Sequence, residues 1–323
     1  MRAWRPEAAV RGPERAGERD IDGLNRVFTD AFTDRYRRDG LSGVRVPPLN
    51  PAVWRYALLN AGDGAMVWRD ERGGVAAFNV AHRSGTEGWM GPLCVRPDRQ
   101  SQGLGKTIVR AAVDYLVAGG VRTLGLETMP RTVENIGFYS RLGFAPGYLT
   151  VTLTHDLPRR PGAPAPALLS ERRGERAAAA VAAARELAER LSGGADYTRE
   201  LLLTAELDLG DTTLVDGAQG LAGFALWHSV PLSDTKARDE VRVLKLAAQD
   251  EAAFDAVITA VEASAARSAI PRVSLRCQTA CEWGFRRLVA RGYRVRWTDL
   301  RMTYEGYPAP ASGSGVVWSN WEM

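Results

Sequence analysis

Apolar residues along the chain alternate between the spacing typical of helices and that typical of strands. The segment 21–32 places Ile21, Leu24 and Phe28 at helical spacing, which predicts an amphipathic helix. Two β-favouring runs follow within 65–83, on either side of a charged Gly-Gly turn, and this pattern predicts a hairpin. The first half therefore begins as a mixture of helix and strand.

The same alternation continues to the middle of the chain. It predicts a strand at 89–95, a helix at 105–120 closed by glycines, a strand at 121–128, a short helix at 134–142 and two further strands. This order indicates an α/β (α+β) fold.

The second half repeats the order of the first. It predicts a helix at 171–191, a hairpin at 212–228, a strand at 240–247, a helix ending at Arg267, a strand at 272–277 and a helical segment at 281–293. A constant offset of 149 residues superimposes, without a gap, Gln100 on Gln249, Leu126 on Leu275 and Gly143 on Gly292. Repeated order and spacing indicate a duplicated domain.

Breaker residues divide the chain into four parts. We expect an N-terminal domain at 1–157, a Pro-rich linker at 158–167, a C-terminal domain at 168–307 and a tail at 308–323. The tail ends in an apolar segment with Trp318 and Trp321, so we expect it to dock on the protein rather than extend into solvent.

Length, charge and cysteine content narrow the class of protein. A chain of 323 residues is too long for one ordinary core and suits two. Its 42 basic and 38 acidic residues are interspersed, which argues against a nucleic-acid partner. No stretch approaches the roughly 18 apolar residues of a membrane span, and three cysteines do not form a disulfide framework. We expect a cytoplasmic protein without a membrane partner.

A glycine-rich loop before the 105–120 helix is the clearest chemical feature. Backbone N–H groups at a helix N-terminus bind phosphate, and glycines let the backbone approach it closely. A lone Gly-x-Gly more often forms only a turn. The candidate pyrophosphate-binding residues are Gln100, Gln102, Gly103, Leu104, Gly105, Lys106 and Thr107.

Wider context gives this loop a family resemblance. The order strand, Gln-x-x-Gly-x-Gly, helix, strand, then Asn135 and Tyr139 before Leu-Gly-Phe, resembles the GNAT acyltransferase superfamily over about residues 8–153. The resemblance implies two tandem domains, each with a mixed, splayed and mostly antiparallel sheet flanked by helices. It implies acetyl-CoA or another acyl-CoA as co-substrate, no metal, and a cleft between the strand holding Leu93, Cys94 and Val95 and the strand at 124–127.

The resemblance also implies roles for individual residues in direct transfer to an amine. Tyr139 would protonate the departing thiolate, and Asn135 would bind the pantetheine arm. A backbone N–H near Cys94 or Val95 would stabilise the oxyanion. The alternatives are a core aromatic for Tyr139 and a helix cap for Asn135.

The proton acceptor is less defined. Glu127, at the end of its strand, is the leading candidate, and a structural hydrogen bond is the equal alternative. His82 and Glu87 are weaker candidates. Cys94 fits a small buried hydrophobe better than a nucleophile. Cys277 and Cys281 lack the second ligand pair of a zinc site.

The second half has lost every one of these features. The offset of 149 places Ala252 at Gly103, Phe254 at Gly105, Gly284 at Asn135, Leu288 at Tyr139 and Arg276 at Glu127. The resemblance therefore implies that the second half is a degenerate copy and that chemistry belongs to the first.

The function expected is an acyl-CoA-dependent N-acyltransferase, an N-acetyltransferase acting on a small-molecule primary amine. The acceptor pocket would be formed by the segment 33–54 and the second domain. The alternatives are a non-catalytic acyl-CoA sensor and another acyl-CoA reaction on the same fold. We expect either a monomer whose two halves form a pseudo-dimer, or a homodimer.

Overall fold

A computed structural model describes residues 10–158, 165–310 and 315–321. Helices and strands alternate along it. The α-helices are α1 Ile21–Arg38, α2 Pro51–Ala61, α3 Leu104–Ala118, α4 Val133–Ser140, α5 Glu175–Ser192, α6 Thr198–Glu206, α7 Glu251–Arg267 and α8 Glu282–Ala290. The strands are β1 Arg11–Arg15, β2 Ala65–Arg69, β3 Val75–Ser84, β4 Glu87–Val95, β5 Thr123–Thr128, β6 Phe144–Asp156, β7 Ala167–Leu168, β8 Gly210–Gly217, β9 Gly220–His228, β10 Glu240–Ala248, β11 Arg272–Gln278, β12 Arg294–Tyr304 and β13 Val316–Ser319.

One continuous sheet connects the two halves, and the halves exchange their last long strands. The order is β1-β2-β3-β4-β5-β12-β6-β11-β10-β9-β8-β7, with β13 beside β10. Strand β12 of the second half pairs with β5 of the first, and β6 of the first half pairs with β11 of the second. The sequence bounds expected for the two domains, at 157 and 168, therefore do not separate the sheet into two parts, because each half pairs its last long strand with a strand of the other half.

The strand registers follow the offset seen in the sequence. In the β5–β12 ladder Leu300 pairs with Thr128. Their equivalents in the other halves, Val151 and Cys277, pair in the β11–β6 ladder. Asp299 faces Thr150 across the central β6–β12 ladder, and these two residues are themselves equivalent. The sheet thus has a pseudo-twofold axis close to Asp299 and Thr150.

Helices cover both faces of the sheet in each half. In the first half, α1 and α2 pack on an apolar cluster that includes Leu24, Trp54 and Phe78, and α3 packs on another that includes Ile108 and Leu126. The second half repeats this arrangement with α5 on one face and α7 on the other.

Strands β4 and β5 diverge inside the first half. Their parallel ladder runs from Glu87–Thr123 to Met90–Leu126. Beyond Met90, β4 has a register shift at Gly91–Pro92 against β3 and continues to Val95. The two strands therefore form a V whose vertex lies at Met90 and Leu126.

The fold class and the tandem arrangement are confirmed. The predicted elements are present with two differences: the two strands expected after the 134–142 helix are one long strand, β6, and the helix expected at 171–191 begins at Glu175. Helices α2 and α6 and strands β1, β7 and β13 were not predicted. Residues 159–164 of the linker and 311–314, 322 and 323 of the tail lie outside the described residues. None of the described helices has the length and apolar character needed to cross a membrane.

Candidate active site

The loop before α3 presents a helix N-terminus toward solvent. Gly103 precedes the helix with φ of +82°, a conformation that favours glycine. The first turn leaves the N–H groups of Leu104 and Gly105 without a helical acceptor. Gln100 donates its side-chain amide to the Val95 carbonyl at 3.0 Å, and Gln102 donates to the Asp98 carbonyl at 3.3 Å. The two glutamine side chains thus brace the loop, and its backbone faces outward.

A cavity of about 470 Å³ lies beside the vertex of the V. The first half contributes α1, the β4 bend and α4, and the second half contributes much of the opposite wall. Its lining includes Phe28, Tyr36, Met90, Leu93, Glu127, Asn135 and Tyr139 from the first half, and Leu232, Glu240, Arg242, Trp297, Asp299 and Trp321 from the second. The strand exchange brings these two sets together.

Tyr139 and Asn135 lie on the cavity side of α4. The Tyr139 ring is buried against Phe138 and Phe144, with centroids 5.2 Å and 6.1 Å away. Burial raises the pKa of its phenol, so the hydroxyl stays protonated at neutral pH. Asn135 donates to the Thr128 hydroxyl at 3.5 Å. Both residues were candidates from the sequence, and in the structure both line the cavity from α4.

Glu127 is enclosed by cations. Its carboxylate lies 2.6 Å from Arg276 and 3.1 Å from Arg301 and accepts the Thr150 hydroxyl at 2.5 Å. Burial acts to raise its pKa, but the two arginines more than offset that effect, and the pKa lies below its usual value. A carboxylate held in this way accepts a proton poorly. Both carboxylate oxygens of Glu127 thus already have protein partners.

Asp299 is another carboxylate on the cavity wall, and the sequence did not single it out. Its oxygens accept Trp297 Nε1 at 3.3 Å and Arg276 Nη2 at 3.0 Å. Burial raises its pKa, and the charge of Arg276 offsets this only in part. Only the strand exchange brings β12 to this cavity, so no local pattern could have found Asp299.

His82 and Glu87 lie in a buried layer between the halves, apart from the cavity lining as the described residues define it. The His82 ring stacks on Trp89 with centroids 4.0 Å apart, and burial together with Lys245 lowers its pKa to about 3. Glu87 accepts the Trp321 indole N–H at 2.6 Å and the Tyr197 hydroxyl at 3.0 Å. Both side chains thus contact buried neighbours rather than the cavity.

The cysteines are buried thiols. Cys94 packs in the cluster under α1 and α2, and burial raises its pKa. Its neighbours on β4 differ, since Leu93 lines the cavity and the Val95 carbonyl accepts Gln100. Cys277 and Cys281 lie in the core of the second half. Across the described residues, no group of three or more metal-ligating side chains occurs.

Comparison with known proteins shows what this arrangement is similar to. The family model described as "Acetyltransferase (GNAT) family" matches residues 28–144, which include the α3 loop, the V and α4. Residues 28–144 are therefore similar to a GNAT acetyltransferase domain. A putative acetyltransferase from Pyrococcus horikoshii has the same fold over both halves, with a TM-score of 0.67 at 13% identity, covering 99% of this chain and 96% of that chain.

Two further comparisons extend the GNAT likeness. A tandem GNAT protein from the clavulanic acid biosynthesis pathway has a TM-score of 0.56 at 13% identity, over 94% of this chain and 100% of that chain. The [ribosomal protein bS18]-alanine N-acetyltransferase of Escherichia coli K12 is 35% identical over 74 residues, 23% of this chain and 50% of that enzyme. The chain thus spans about half the length of the curated relatives that it matches.

The second GNAT-like half has no equivalent of the α3 loop. Strand β10 ends at Ala248 and α7 begins at Glu251, whereas Arg96–Gly103 separates β4 from α3. Asp250 caps α7 by accepting the Ala253 N–H at 2.8 Å, so a carboxylate occupies the anion position. The second half therefore differs from the first at the position where the sequence predicted the loss of the phosphate-binding loop.

The tail occupies the cleft of the degenerate half. Strands β10 and β11 pair only from Glu240–Arg272 to Val243–Leu275, and β13 then pairs with β10 where the two diverge. The Trp318 ring packs edge-on against Phe254 with centroids 5.2 Å apart. A Cβ at Gly284 would lie 2.8 Å from Trp318 Cζ2. Two of the residues that replace the GNAT features thus make room for, or contact, the tail.

Proposed function

We propose that this protein is an acyl-CoA-dependent N-acyltransferase that transfers the acetyl group of acetyl-CoA to the primary amine of a small molecule. One observation carries the proposal: the exposed N-terminus of α3 stands at the open end of a V whose vertex meets a cavity lined by Tyr139. Pyrophosphate at α3 would direct the thioester along the V toward that cavity.

The cavity supplies the groups that direct transfer requires. The amine nitrogen bonds to the acyl carbon, the carbon–sulfur bond breaks, and the ammonium loses a proton. Backbone N–H groups at the β4 bend stabilise the oxyanion, and Tyr139 gives its proton to the departing thiolate. Asn135, on the same face of α4, contacts the pantetheine arm.

Asp299 is a better proton acceptor than Glu127. Glu127 is neutralised by Arg276 and Arg301, and its lowered pKa makes it a weak base. Burial raises the pKa of Asp299, which favours proton uptake from the ammonium. In this proposal Glu127 holds the two arginines in place and Asp299 accepts the proton.

The walls favour a small amine over a protein terminus. The bS18-alanine enzyme, as its name states, acts on a ribosomal protein, but in this chain the second half closes over the acceptor side with Leu232, Arg242 and Trp297. The segment 33–54 contributes Tyr36, Val46 and Leu49 to the same cavity. A small molecule fits a cavity of about 470 Å³ lined from both halves.

Two measurements test the proposal. Titration calorimetry of the full chain with acetyl-CoA should give one site, and incubation with a panel of small primary amines should release free coenzyme A thiol only when a suitable amine is present. Binding without thiol release from any amine favours the sensor alternative. Release without an amine favours a hydrolytic reaction. No binding at all rejects the proposal.

A further inference from the structure

The cleft vertex fixes where an acyl chain must continue beyond the thioester, provided that the proposed acyl-CoA site is correct. Cofactor entering from α3 follows the diverging ends of β4 and β5 to Met90 and Leu126, where their ladder begins. An acyl chain longer than acetyl must then extend past this point, over the paired part of the strands.

Trp321 stands at that place. A Cβ at Gly125, one residue before Leu126 on β5, would lie 2.8 Å from Trp321 Cη2, so the absence of a side chain there admits the indole. A Cβ at Gly91, at the β4 bend, would lie 3.4 Å from the Trp321 carbonyl oxygen. The residue is 1% exposed and lines the same cavity as Tyr139. Trp321 therefore blocks the V at its vertex.

Charged partners hold the ring in place. The indole N–H donates to Glu87 at 2.6 Å, and the Arg301 guanidinium stacks on the ring with its Cζ 3.6 Å from the centroid. Arg301 also donates to the Ser319 carbonyl at 2.6 Å. A wall with these restraints does not move aside easily for an extra methylene.

The tail that carries Trp321 is fixed at its other end by the degenerate half. Ser319 to Val316 pair with Lys245 to Ala248, and Lys245 Nζ donates to the Ser319 hydroxyl at 2.7 Å. Trp318 fills the degenerate cleft. The degenerate half thus anchors a segment whose last described residue reaches the acyl site of the other half.

We propose that Trp321 is the residue that limits the length of the acyl chain, restricting transfer to acetyl and similarly short groups. Its indole occupies the space into which a longer chain would extend. The inference rests on the proposed function and adds to it the acyl specificity and the residue that sets it.

Wild-type protein provides the first test. With a fixed amine, kcat/KM for acetyl-, butyryl-, hexanoyl- and octanoyl-CoA should fall steeply with chain length. Equal kcat/KM for acetyl- and octanoyl-CoA would overturn the inference without any variant. Failure of every acyl-CoA to bind would instead reject the proposed function, so the two failures are distinguishable.

Trp321→Ala and Trp321→Leu provide the second test. Each methylene buried in the vacated space is worth about fourfold, so the hexanoyl-to-acetyl ratio of kcat/KM should rise by one to two orders of magnitude in the alanine variant and by less in the leucine variant. Trp321→Phe keeps a ring at the vertex but loses the bond to Glu87, and should retain the acetyl preference. An unchanged ratio in a folded alanine or leucine variant would overturn the inference. If the alanine variant does not fold, the leucine variant and the wild-type series decide.

Discussion

Glu127 and Arg276 occupy equivalent positions in the two halves, 149 residues apart, and their side chains form a 2.6 Å ion pair across the pseudo-twofold axis. Both side chains are buried, with 1% and 9% of their surfaces exposed. Thr150 contacts Glu127, and its equivalent Asp299 contacts Arg276. A duplicated position has thus acquired opposite charges, which join the halves at the centre of the sheet.

Removing one member of this pair should destabilise the protein strongly. Glu127→Gln leaves Arg276 and Arg301 buried with less compensation, and we expect a loss of about 3–5 kcal/mol in the free energy of unfolding by denaturant titration. The double variant Glu127→Met/Arg276→Met should recover part of this loss. Equal losses in the single and double variants would show that the pair itself has no special role.

The same pair predicts how stability depends on pH. Because the folded-state pKa of Glu127 lies below its unfolded value of about 4.3, its contribution is complete above that pH and is lost as the pH falls through the lower folded-state pKa. The wild-type protein should therefore lose more of its unfolding free energy than Glu127→Gln does upon acidification below about pH 4.

We expect each chain to bind a single acyl-CoA molecule, at the α3 loop. Gly103→Glu introduces a carboxylate where backbone meets phosphate and strains a positive φ, so we expect calorimetric affinity for acetyl-CoA to fall by on the order of a hundredfold or more. The matched control is Ala252→Glu, at the exposed equivalent position in α7. Weakened binding in the control as well would contradict a single site.

Tyr139→Phe should separate catalysis from binding. The hydroxyl acts on charge that develops at sulfur only during the reaction, so kcat should fall roughly ten- to a thousandfold while the dissociation constant for acetyl-CoA changes little. Turnover and calorimetry on the same preparation measure both. Unchanged turnover would assign Tyr139 to packing alone.

Asp299→Asn should remove the proton acceptor. We expect the wild-type kcat/KM to decline on acidification with an apparent pKa above the ordinary aspartate value of about 3.9, and this acidic limb should be absent from the low residual activity of Asp299→Asn. Glu127→Gln, where it remains folded, should keep the limb. Loss of the acidic limb in Glu127→Gln, with the limb retained in Asp299→Asn, would assign the proton acceptor to Glu127.

Strand exchange predicts that the first half cannot stand alone. A chain ending at Pro158 retains β6 without its partners and leaves the β5 edge without β12. Exposed strand edges and apolar faces promote association, so we expect aggregation by light scattering. Soluble monomers that bind acetyl-CoA would show that the exchanged strand is dispensable.

Sequence reasoning located the parts of the site that depend on local pattern. The Gly103 turn, the α3 start and the Asn135–Tyr139 face are each encoded within a few residues, and the offset of 149 indicated which positions of the two halves are equivalent. The presence of Asp299 and Trp321 in the cavity depends instead on which strands are neighbours in the sheet. The alternation in β6 and β12 predicts strands but does not distinguish a neighbour in the same half from one in the other. Docking of the apolar tail was predicted, but its place was not.

The exchanged strands also govern when the protein can fold during its synthesis. The residues proposed for catalysis on β5 and α4 emerge from the ribosome early, yet the strand that completes their sheet ends at Tyr304. Domains ordinarily fold from the N-terminus as they are made. In this chain the sheet of the N-terminal half is completed only after Tyr304 has been made, so a message truncated before that residue leaves β5 and β6 without a complete β12. The half proposed for catalysis and its partner half therefore fold as a single unit.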